Sequence, residues 1–205
     1  MNRNEESFEK IADGLAAESF AVVDDFLSKE IVGEILTLNE FTTGLSEFRK
    51  AGIGLQKDIQ ISVRGDYIKW IDRNEASPAL TVYLQKLEAL IQYLNQALFL
   101  SLKDYEVHMT IYPPGSYYKR HLDQFRGDDH RRLSIICYLN TNWQNENGGQ
   151  LKLYHPSGTK EILPLAGRLV CFRSDQLEHE VMSADRDRLS ITGWILDQFA
   201  GLTHL

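Results

Sequence analysis

The spacing of apolar residues changes near residue 100 of the chain. Before that point, apolar side chains recur every three or four residues, which is typical of helices that bury one face. Ser77 and Pro78 mark the clearest helix start, because serine caps the first amides and proline suits the first helical position. Three helices are predicted, with apolar positions at Phe8, Ile11 and Leu15, at Ile31, Ile35 and Leu38 after Ser28, and at Leu80, Tyr83, Leu84, Leu87, Leu90, Ile91, Leu94 and Leu98.

From about residue 104 onward, apolar and polar residues alternate, and turn-forming residues interrupt the pattern often. Breaks at Pro113-Pro114-Gly115 and Asn147-Gly148-Gly149 separate short strands. Eight strands are predicted, at 105–112, 117–122, 132–139, 149–155, 159–163, 167–172, 177–182 and 188–196. Such a run favours an α+β, mainly β fold: a double-stranded β-helix, or jelly roll, with the N-terminal helices packed on one sheet.

The length of 205 residues is suited to one domain with a sizeable core and leaves no room for a second catalytic module. We therefore expect a single domain over residues 1–205. Its helical support is predicted over about 1–100 and its jelly-roll core over about 104–197.

The composition is that of an ordinary globular protein, with 43% hydrophobic and 25% charged residues. The net charge of −7 argues against a broad phosphate-binding face, so no nucleic-acid partner is expected.

Cys137 and Cys171 lie in apolar segments and are predicted to be small buried residues, in keeping with a reducing compartment. The first six residues lack the apolar stretch of a secretory signal, and no run is long enough for a membrane span. We expect a cytoplasmic protein with no membrane partner.

His121, Asp123 and His179 are the candidate metal ligands. Side chains two residues apart on an extended segment point the same way, so His121 and Asp123 can bind one ion. His179 must be supplied by another strand. Two imidazoles and one carboxylate form the facial triad that holds non-haem Fe(II). A single histidine is more often a surface or hydrogen-bonded residue, so the prediction depends on all three residues together.

Arg188 is the candidate anchor for a carboxylate. It opens the last predicted strand, where Ser190, Thr192 and Trp194 share its face. An inward-facing arginine needs a carboxylate partner, and the distal carboxylate of 2-oxoglutarate would supply one. The alternative is an ion pair with one of two nearby aspartates, Asp185 or Asp187.

Tyr138 follows the metal-ligand pair on a later strand, where its phenol can add a hydrogen bond to the same carboxylate. The alternative is that Tyr138 is a core aromatic residue with a solvated tip.

Several motifs together resemble one known family. They are Tyr112-Pro113, Tyr118-x-Arg120-His121-x-Asp123, Tyr138-Leu139-Asn140, Trp143, Gly148-Gly149, His179-Glu180-Val181 and Arg188-x-x-x-Thr192-x-Trp194, preceded by the segment 63–71. Their order and spacing over about 60–197 closely resemble the peptidyl-prolyl 4-hydroxylases of the oxygen-sensing type, among the Fe(II)/2-oxoglutarate-dependent oxygenases. A catalytic domain without accessory regions looks like the microbial branch of that family.

The resemblance implies a role for each matching residue. His121, Asp123 and His179 would be the iron ligands, and Arg188 would bind 2-oxoglutarate with support from Tyr138 and Thr192. The remaining matches are Tyr112 and Tyr118 beside the metal and co-substrate, Trp194 as an apolar wall, and Arg64, Asp66 and Arg131 on the loop and substrate-binding rim. For Arg64 and Asp66, a surface ion pair that only holds the loop is the alternative.

The resemblance also implies a reaction and its participants. These are Fe(II), 2-oxoglutarate, dioxygen, ascorbate as reductant, and a protein substrate whose proline becomes trans-4-hydroxyproline, with succinate and carbon dioxide as co-products. Elongation factor Tu is a candidate substrate through the resemblance alone. The segment between Tyr112 and His121 is one residue shorter than in the animal enzymes, which leaves the identity of the substrate open.

Three other functions are alternatives. A 2-oxoglutarate oxygenase could act on a free amino acid or another side chain, which a narrow enclosed pocket would favour. A non-catalytic binding module and a halogenase are both disfavoured by the intact carboxylate of Asp123. Residues 44–66, with glycines at Gly44, Gly52, Gly54 and Gly65, are the predicted lid.

Overall fold

A computed structural model describes residues 3–52, 64–124 and 129–199 of the chain. Four helices form, α1 Arg3–Glu18, α2 Lys29–Leu36, α3 Asn39–Thr42 and α4 Pro78–Leu98, together with 3₁₀ turns at Gly44–Glu47 and Asn145–Asn147. The strands are β1 Phe20–Val23, β2 Arg49–Lys50, β3 Tyr67–Trp70, β4 Asp104–Tyr112, β5 Tyr118–His121, β6 Arg131–Tyr138, β7 Leu151–His155, β8 Gly158–Ile162, β9 Leu169–Arg173, β10 His179–Val181 and β11 Arg188–Leu196.

The strands form two antiparallel sheets. The major sheet has seven strands in the order β1-β9-β6-β11-β4-β3-β2, and the minor sheet has four in the order β5-β10-β7-β8. The longest strands, β4 and β11, pair along their full length from Asp104 with Leu196 to Tyr112 with Arg188. This is the double-sheet jelly roll that the sequence predicts.

One face of the major sheet packs against the helices. Odd-numbered apolar residues of β4 and β6, such as Val107, Met109 and Ile135, form one core with the buried faces of α1, α2 and α4. Ser77 caps α4, since its hydroxyl accepts a hydrogen bond from the amide of Leu80, and Pro78 follows at the first helical position. The three predicted amphipathic helices are thus confirmed, except that Leu38 lies beyond the end of α2, which is Leu36.

The opposite face of the major sheet packs against the minor sheet. A second core lies between them and contains eleven buried residues, Tyr112, Tyr118, Ile136, Tyr138, Leu151, Leu153, Ile162, Val170, Phe172, Leu177 and Val181. Because side chains alternate along a strand, β6 sends Ile136 and Tyr138 into this core and Ile135 and Cys137 into the helical one. Any site between the sheets is therefore shielded from water on both sides.

All eight predicted strands form, each within two residues of its predicted ends. The first half of the chain also supplies β1, β2 and β3, which the sequence reading missed. β1 extends the major sheet beside β9, and β3 extends it beside β4. Four-residue apolar runs such as Phe20–Val23 are too short for their periodicity to distinguish a strand from a helix.

Both cysteines are fully buried and unpaired, as predicted, and burial raises the pKa of the Cys137 and Cys171 thiols to about 12. Across the described part of the chain, no helix combines the length and the apolar character needed to cross a membrane.

We predict that Leu87→Ala, at a fully buried position of α4, lowers the free energy of unfolding by about 2–5 kcal/mol, because it removes apolar contacts and leaves a cavity. The matched control is Val82→Ala on the same helix. The Val82 side chain is 41% exposed, so its truncation should lower the free energy of unfolding by less than about 0.5 kcal/mol. Urea titration followed by circular dichroism measures both. Equal losses would show that α4 does not pack as described.

Candidate active site

The three predicted metal ligands meet between β5 and β10. These strands pair antiparallel with His121 directly opposite His179, and Asp123 follows two residues after His121. The Nε2 atom of His121 lies 3.4 Å from Asp123 Oδ1, and His179 Nε2 lies 3.7 Å from Asp123 Oδ2. One ligand atom from each residue falls within 4.8 Å of the others, which suits three ligands around one ion.

Hydrogen bonds on the far side of each ring turn its Nε2 toward this centre. His121 Nδ1 lies 2.7 Å from the carbonyl of Lys119, and His179 Nδ1 lies 3.4 Å from that of Leu177. A carbonyl only accepts, so Nδ1 carries the proton and Nε2 presents a lone pair. His121 Nε2 is buried and has no hydrogen-bond partner among the described residues, as expected of a metal-binding nitrogen.

The charge states also suit a divalent cation. Burial lowers the pKa of His179 to about 4, so its imidazole is neutral at physiological pH. Burial alone would raise the pKa of Asp123, but the two imidazoles and the hydroxyl of Ser134 hold it well below its usual range. Two imidazole nitrogens and one carboxylate are the donor set of an Fe(II) facial triad, and the residues present fit that ion.

Ser134 orients the carboxylate ligand. Its hydroxyl donates to Asp123 Oδ2 at 2.6 Å and lies 2.9 Å from the hydroxyl of Ser174. Ser134 and Ser174 are both buried. Mutation of a partner that holds a ligand in place typically weakens metal affinity or activity by about 10- to 100-fold.

Arg188 lies at the other end of the space between the sheets. Its side chain is one of the largest that are fully buried; Nε donates to the carbonyl of Gly149 at 2.8 Å, and Nη2 donates to the Tyr138 hydroxyl at 3.2 Å. The rings of Tyr112 and Tyr138 lie 5.3 Å and 4.9 Å from the guanidinium carbon. Within the described ranges no carboxylate forms an ion pair with Arg188, so a buried cation is left for an anionic ligand.

The predicted alternative of an ion pair with Asp185 or Asp187 is not what the structure shows. The carboxylate of Asp185 accepts instead from the side-chain amide of Asn147, and Asp187 is exposed. Gly149 explains how Arg188 lies so close to the backbone. It has φ +70°, and an added Cβ would lie 2.9 Å from the Trp143 ring and 3.3 Å from Arg188 Cδ.

Aromatic side chains line the space between the two ends. The Tyr118 ring stacks on His121, with centroids 3.5 Å apart and an interplanar angle of 19°. The Arg131 guanidinium lies 3.5 Å from the Trp194 ring centroid, and the His108 ring makes an edge contact with Trp194 at 5.8 Å. The sequence predicted Tyr118, Trp194 and Arg131 as site residues, and the structure brings all three to this region.

Comparison with known proteins identifies the family. The model of the 2OG-Fe(II) oxygenase superfamily matches residues 107–196. Human Prolyl hydroxylase EGLN3 is 31% identical over 206 residues, which cover 93% of this chain and 84% of that protein. Human Egl nine homolog 1 is also 31% identical, but the chain spans about half of its length, 47%.

Two solved structures share the fold and about a third of the sequence. The prolyl-4-hydroxylase of Pseudomonas putida is 37% identical, with a TM-score of 0.85, and the match covers 94% of this chain and 100% of that one. The chain belongs to the prolyl hydroxylase family of 2OG-Fe(II) oxygenases. A second member, a Trichoplax adhaerens prolyl hydroxylase in complex with a peptide fragment of the hypoxia inducible factor oxygen degradation domain, is 29% identical, with a TM-score of 0.87 and coverage of 95% and 91%.

Arg64 and Asp66 form an ion pair, but the pair is buried, so the alternative of a surface ion pair is wrong, and the role predicted for both residues at the substrate-binding rim stays a prediction. Arg64 Nε and Nη2 donate to the two Asp66 carboxylate oxygens at 2.7 Å and 2.6 Å, and the two side chains are only 13% and 1% exposed. The pair is buried because Arg64 forms a backbone bridge with Tyr118, a long-range contact that no local pattern indicates.

Two polar residues of the site escaped the sequence reading, His108 and Thr110. Both are buried on β4, where His108 Nδ1 lies 2.9 Å from Thr110 Oγ1 and the His108 ring packs edge-on against Trp70 at 4.9 Å. Burial lowers the pKa of His108 to about 4. The sequence carries a signal for them, because they alternate with Val107, Met109 and Ile111. Those three residues enter the helical core, so His108 and Thr110 lie on the opposite face of the strand.

The predicted lid is described only in part. Gly44 begins a 3₁₀ turn, Gly52 accepts a hydrogen bond from Arg64, and Gly65 follows Arg64. Gly54 and the rest of 53–63 lie outside the described residues, so a lid over 44–66 stays a prediction.

We predict that Asp123→Ala and His121→Ala fold normally but bind Mn(II), a spectroscopic substitute for Fe(II), at least about 100-fold more weakly, because two ligands hold the ion poorly. Ser134→Ala should weaken Mn(II) binding about tenfold, because the Asp123 carboxylate is then free to rotate. Electron paramagnetic resonance of unbound Mn(II) measures each affinity. Asp24→Ala, which removes an aspartate paired with Arg168 away from the triad, is the control. Wild-type affinity in Asp123→Ala would refute the assignment.

Proposed function

We propose that the protein is an Fe(II)- and 2-oxoglutarate-dependent dioxygenase that 4-hydroxylates a prolyl residue of a protein substrate, with succinate and carbon dioxide as co-products. The observation that carries the proposal is the pairing of two features in one interior. A two-histidine, one-carboxylate cluster lies at one end, and the buried guanidinium of Arg188, with no acidic partner in the described chain, lies at the other. Family membership supports the same reaction.

His121, Asp123 and His179 would hold the metal, which when bound would supply the activation of dioxygen. Three protein ligands leave three positions of an octahedral ion for co-substrates. The protein ligands contribute one negative charge, through Asp123, so part of the positive charge of the ion remains for an anionic co-substrate. Ser134 and the carbonyls behind the rings fix the directions of the ligands before the ion arrives.

Arg188 would bind the distal carboxylate of 2-oxoglutarate. Tyr138 can assist because its hydroxyl oxygen accepts from Arg188, which leaves its own proton to donate to the carboxylate. Thr192 and Ser190 face the same space with hydroxyls 3.0 Å apart. Ser134 and Tyr138 lie four residues apart on β6, so the metal end and the anchor end of the site are separated by roughly 13 Å of strand.

Trp194 and Trp70 form the wall on which we place the target proline. Trp70 is 40% exposed and its ring lies 6.4 Å from that of Trp194, so the wall runs from the surface into the site. Trp194 Nε1 is buried without a hydrogen-bond partner among the described residues, so an indole donor is available to an acceptor on the substrate. The peptide bound to the Trichoplax adhaerens prolyl hydroxylase supports a polypeptide substrate.

Finer aspects of the function rest on the family resemblance. We propose a cytoplasmic location, ascorbate as the reductant that keeps iron divalent, and elongation factor Tu as the first protein substrate to test. A role in oxygen sensing would follow if hydroxylation responds to dioxygen in the physiological range.

We predict that Arg188→Ala raises the 2-oxoglutarate concentration needed for half-maximal turnover by roughly 10- to 150-fold, since a charge-assisted bidentate contact is worth about 1.5–3 kcal/mol. Mn(II) affinity should stay near that of the wild type, because Arg188 does not contact the triad. Arg168→Ala, which removes an arginine paired with Asp24, is the matched control. An unchanged co-substrate titration would place the anchor elsewhere.

The reaction itself is tested by incubating the protein with Fe(II), 2-oxoglutarate, ascorbate and either host lysate or purified elongation factor Tu. We expect a mass increase of one oxygen on a proline, mapped by peptide sequencing, and none with Asp123→Ala. Efficient oxidation of free proline in place of any proline-containing protein would support the small-molecule alternative instead.

A further inference from the structure

A continuous series of side-chain contacts leads from Asp66 to the metal ligands. The Asp66 carboxylate binds Arg64, the Arg64 guanidinium carbon lies 4.5 Å from the Tyr118 ring centroid, and the Tyr118 ring stacks on His121 at 3.5 Å. Because the imidazole covers one face of the Tyr118 ring, the guanidinium takes the other. Tyr118 is thus held between a cation and a metal ligand.

Arg64 is fixed on several sides. Its Nε and Nη2 donate to Asp66, and its Nη1 donates to the Gly52 carbonyl at 3.1 Å. Asp66 is itself held, because its own carbonyl accepts from the amide of Ala51 at 3.0 Å. With these donors engaged and both side chains largely buried, the pair is poorly placed to bind a substrate directly.

The backbone holds the same segments together. Arg64 and Tyr118 form an isolated antiparallel bridge, and the Gly65 amide donates to the Tyr117 carbonyl at 3.0 Å. Gly65 permits this approach, since a Cβ there would lie 3.1 Å from the Cβ and Oγ of Ser116. The stack therefore has a rigid frame on both sides.

His121 gains a second constraint from this frame. The hydrogen bond from Nδ1 to Lys119 fixes the tautomer, but the ring can still tilt about that bond. A flat ring stacked on the imidazole limits this tilt and so holds the Nε2 lone pair toward Asp123 and His179.

We propose that Arg64 and Asp66 are positioning residues that act through Tyr118 on His121 and so set the affinity of the site for its metal ion. The inference rests on the metal-binding part of the proposed function and does not require that the substrate be a protein or the target a proline.

The test is Arg64→Gln, with Mn(II) affinity as the readout. We expect Mn(II) to bind about tenfold more weakly, the effect usual for a partner that holds a ligand. The chain offers a matched control. Arg73 lies over the Tyr105 ring at 3.8 Å and pairs with Asp104, the same arrangement of arginine, aspartate and tyrosine away from the triad. Arg73→Gln should leave Mn(II) affinity within about twofold of the wild type.

Variants of Tyr118 separate positioning from general stability. Tyr118→Phe keeps the stacked ring, so its Mn(II) affinity should stay within about twofold of that of the wild type. Tyr118→Leu removes the ring, so its Mn(II) affinity should fall about tenfold. If Arg64 acts through the ring, adding Arg64→Gln to Tyr118→Leu should cause no further loss. Thermal unfolding of each variant verifies that it is folded. If Tyr118→Leu does not fold, the Mn(II) affinity of Arg64→Gln alone decides the test.

Two outcomes would overturn the proposal: unchanged Mn(II) affinity in Arg64→Gln, or independent, multiplying losses in the double variant. Both are distinct from failure of the proposed function. If wild-type protein binds Mn(II) through Asp123 but hydroxylates no protein, the substrate assignment fails and the positioning role stands. If the wild type binds no Mn(II), the metal site fails and the positioning role fails with it.

Discussion

The pairing of β5 with β10 is the constraint on which the site depends. It places His121 opposite His179, with the Asp123 carboxylate 3.4 Å from Nε2 of His121 and 3.7 Å from Nε2 of His179. Side chains alternate along a strand, so a register shift of one residue would turn one histidine away from the other and dismantle the ligand set. The remaining strands of the minor sheet secure this register, because β7 pairs with β10 on its other edge and places Leu153 beside His179 in the core between the sheets.

The same interior carries polar groups whose burial is costly, and protein partners compensate some of them but not others. Asp123 accepts from Ser134, and Arg64 is neutralised by Asp66. Arg188 has only neutral partners among the described residues, and His121 Nε2 has none. An unsatisfied buried cation and an unsatisfied buried nitrogen are unfavourable in an apolar interior. Their persistence at the two ends of one space is the physical signature of a site completed by a metal ion and an anion.

Local patterns predicted most of the fold and the chemical centre of the site. The helices, the eight later strands and the metal-ligand set follow from periodicity, turn residues and the spacing of His121, Asp123 and His179. The early strands β1 and β3 escaped because four residues carry too little periodicity, and their place in the sheet is set by partners in β9 and β4. His108 was overlooked for a different reason: it lies on the site face of β4, but an isolated histidine in a strand has no motif to mark it.

Arg64 and Asp66 show how burial can change the interpretation of residues that the sequence singles out. A family motif places them near the substrate, and two opposite charges two residues apart read as a solvated pair, which contributes little to stability. Only the bridge between Arg64 and Tyr118 shows that the pair is enclosed and that its cation lies against a ring stacked on a metal ligand. The interaction of a cation with an aromatic face strengthens as water is excluded, from roughly 0.5–1 kcal/mol at exposed sites to about 2 kcal/mol when desolvated. If Arg64 positions His121 as proposed, the segment that carries Arg64 and Asp66 is coupled to the geometry of the metal ligands, and changes in that segment alter metal binding without touching a ligand.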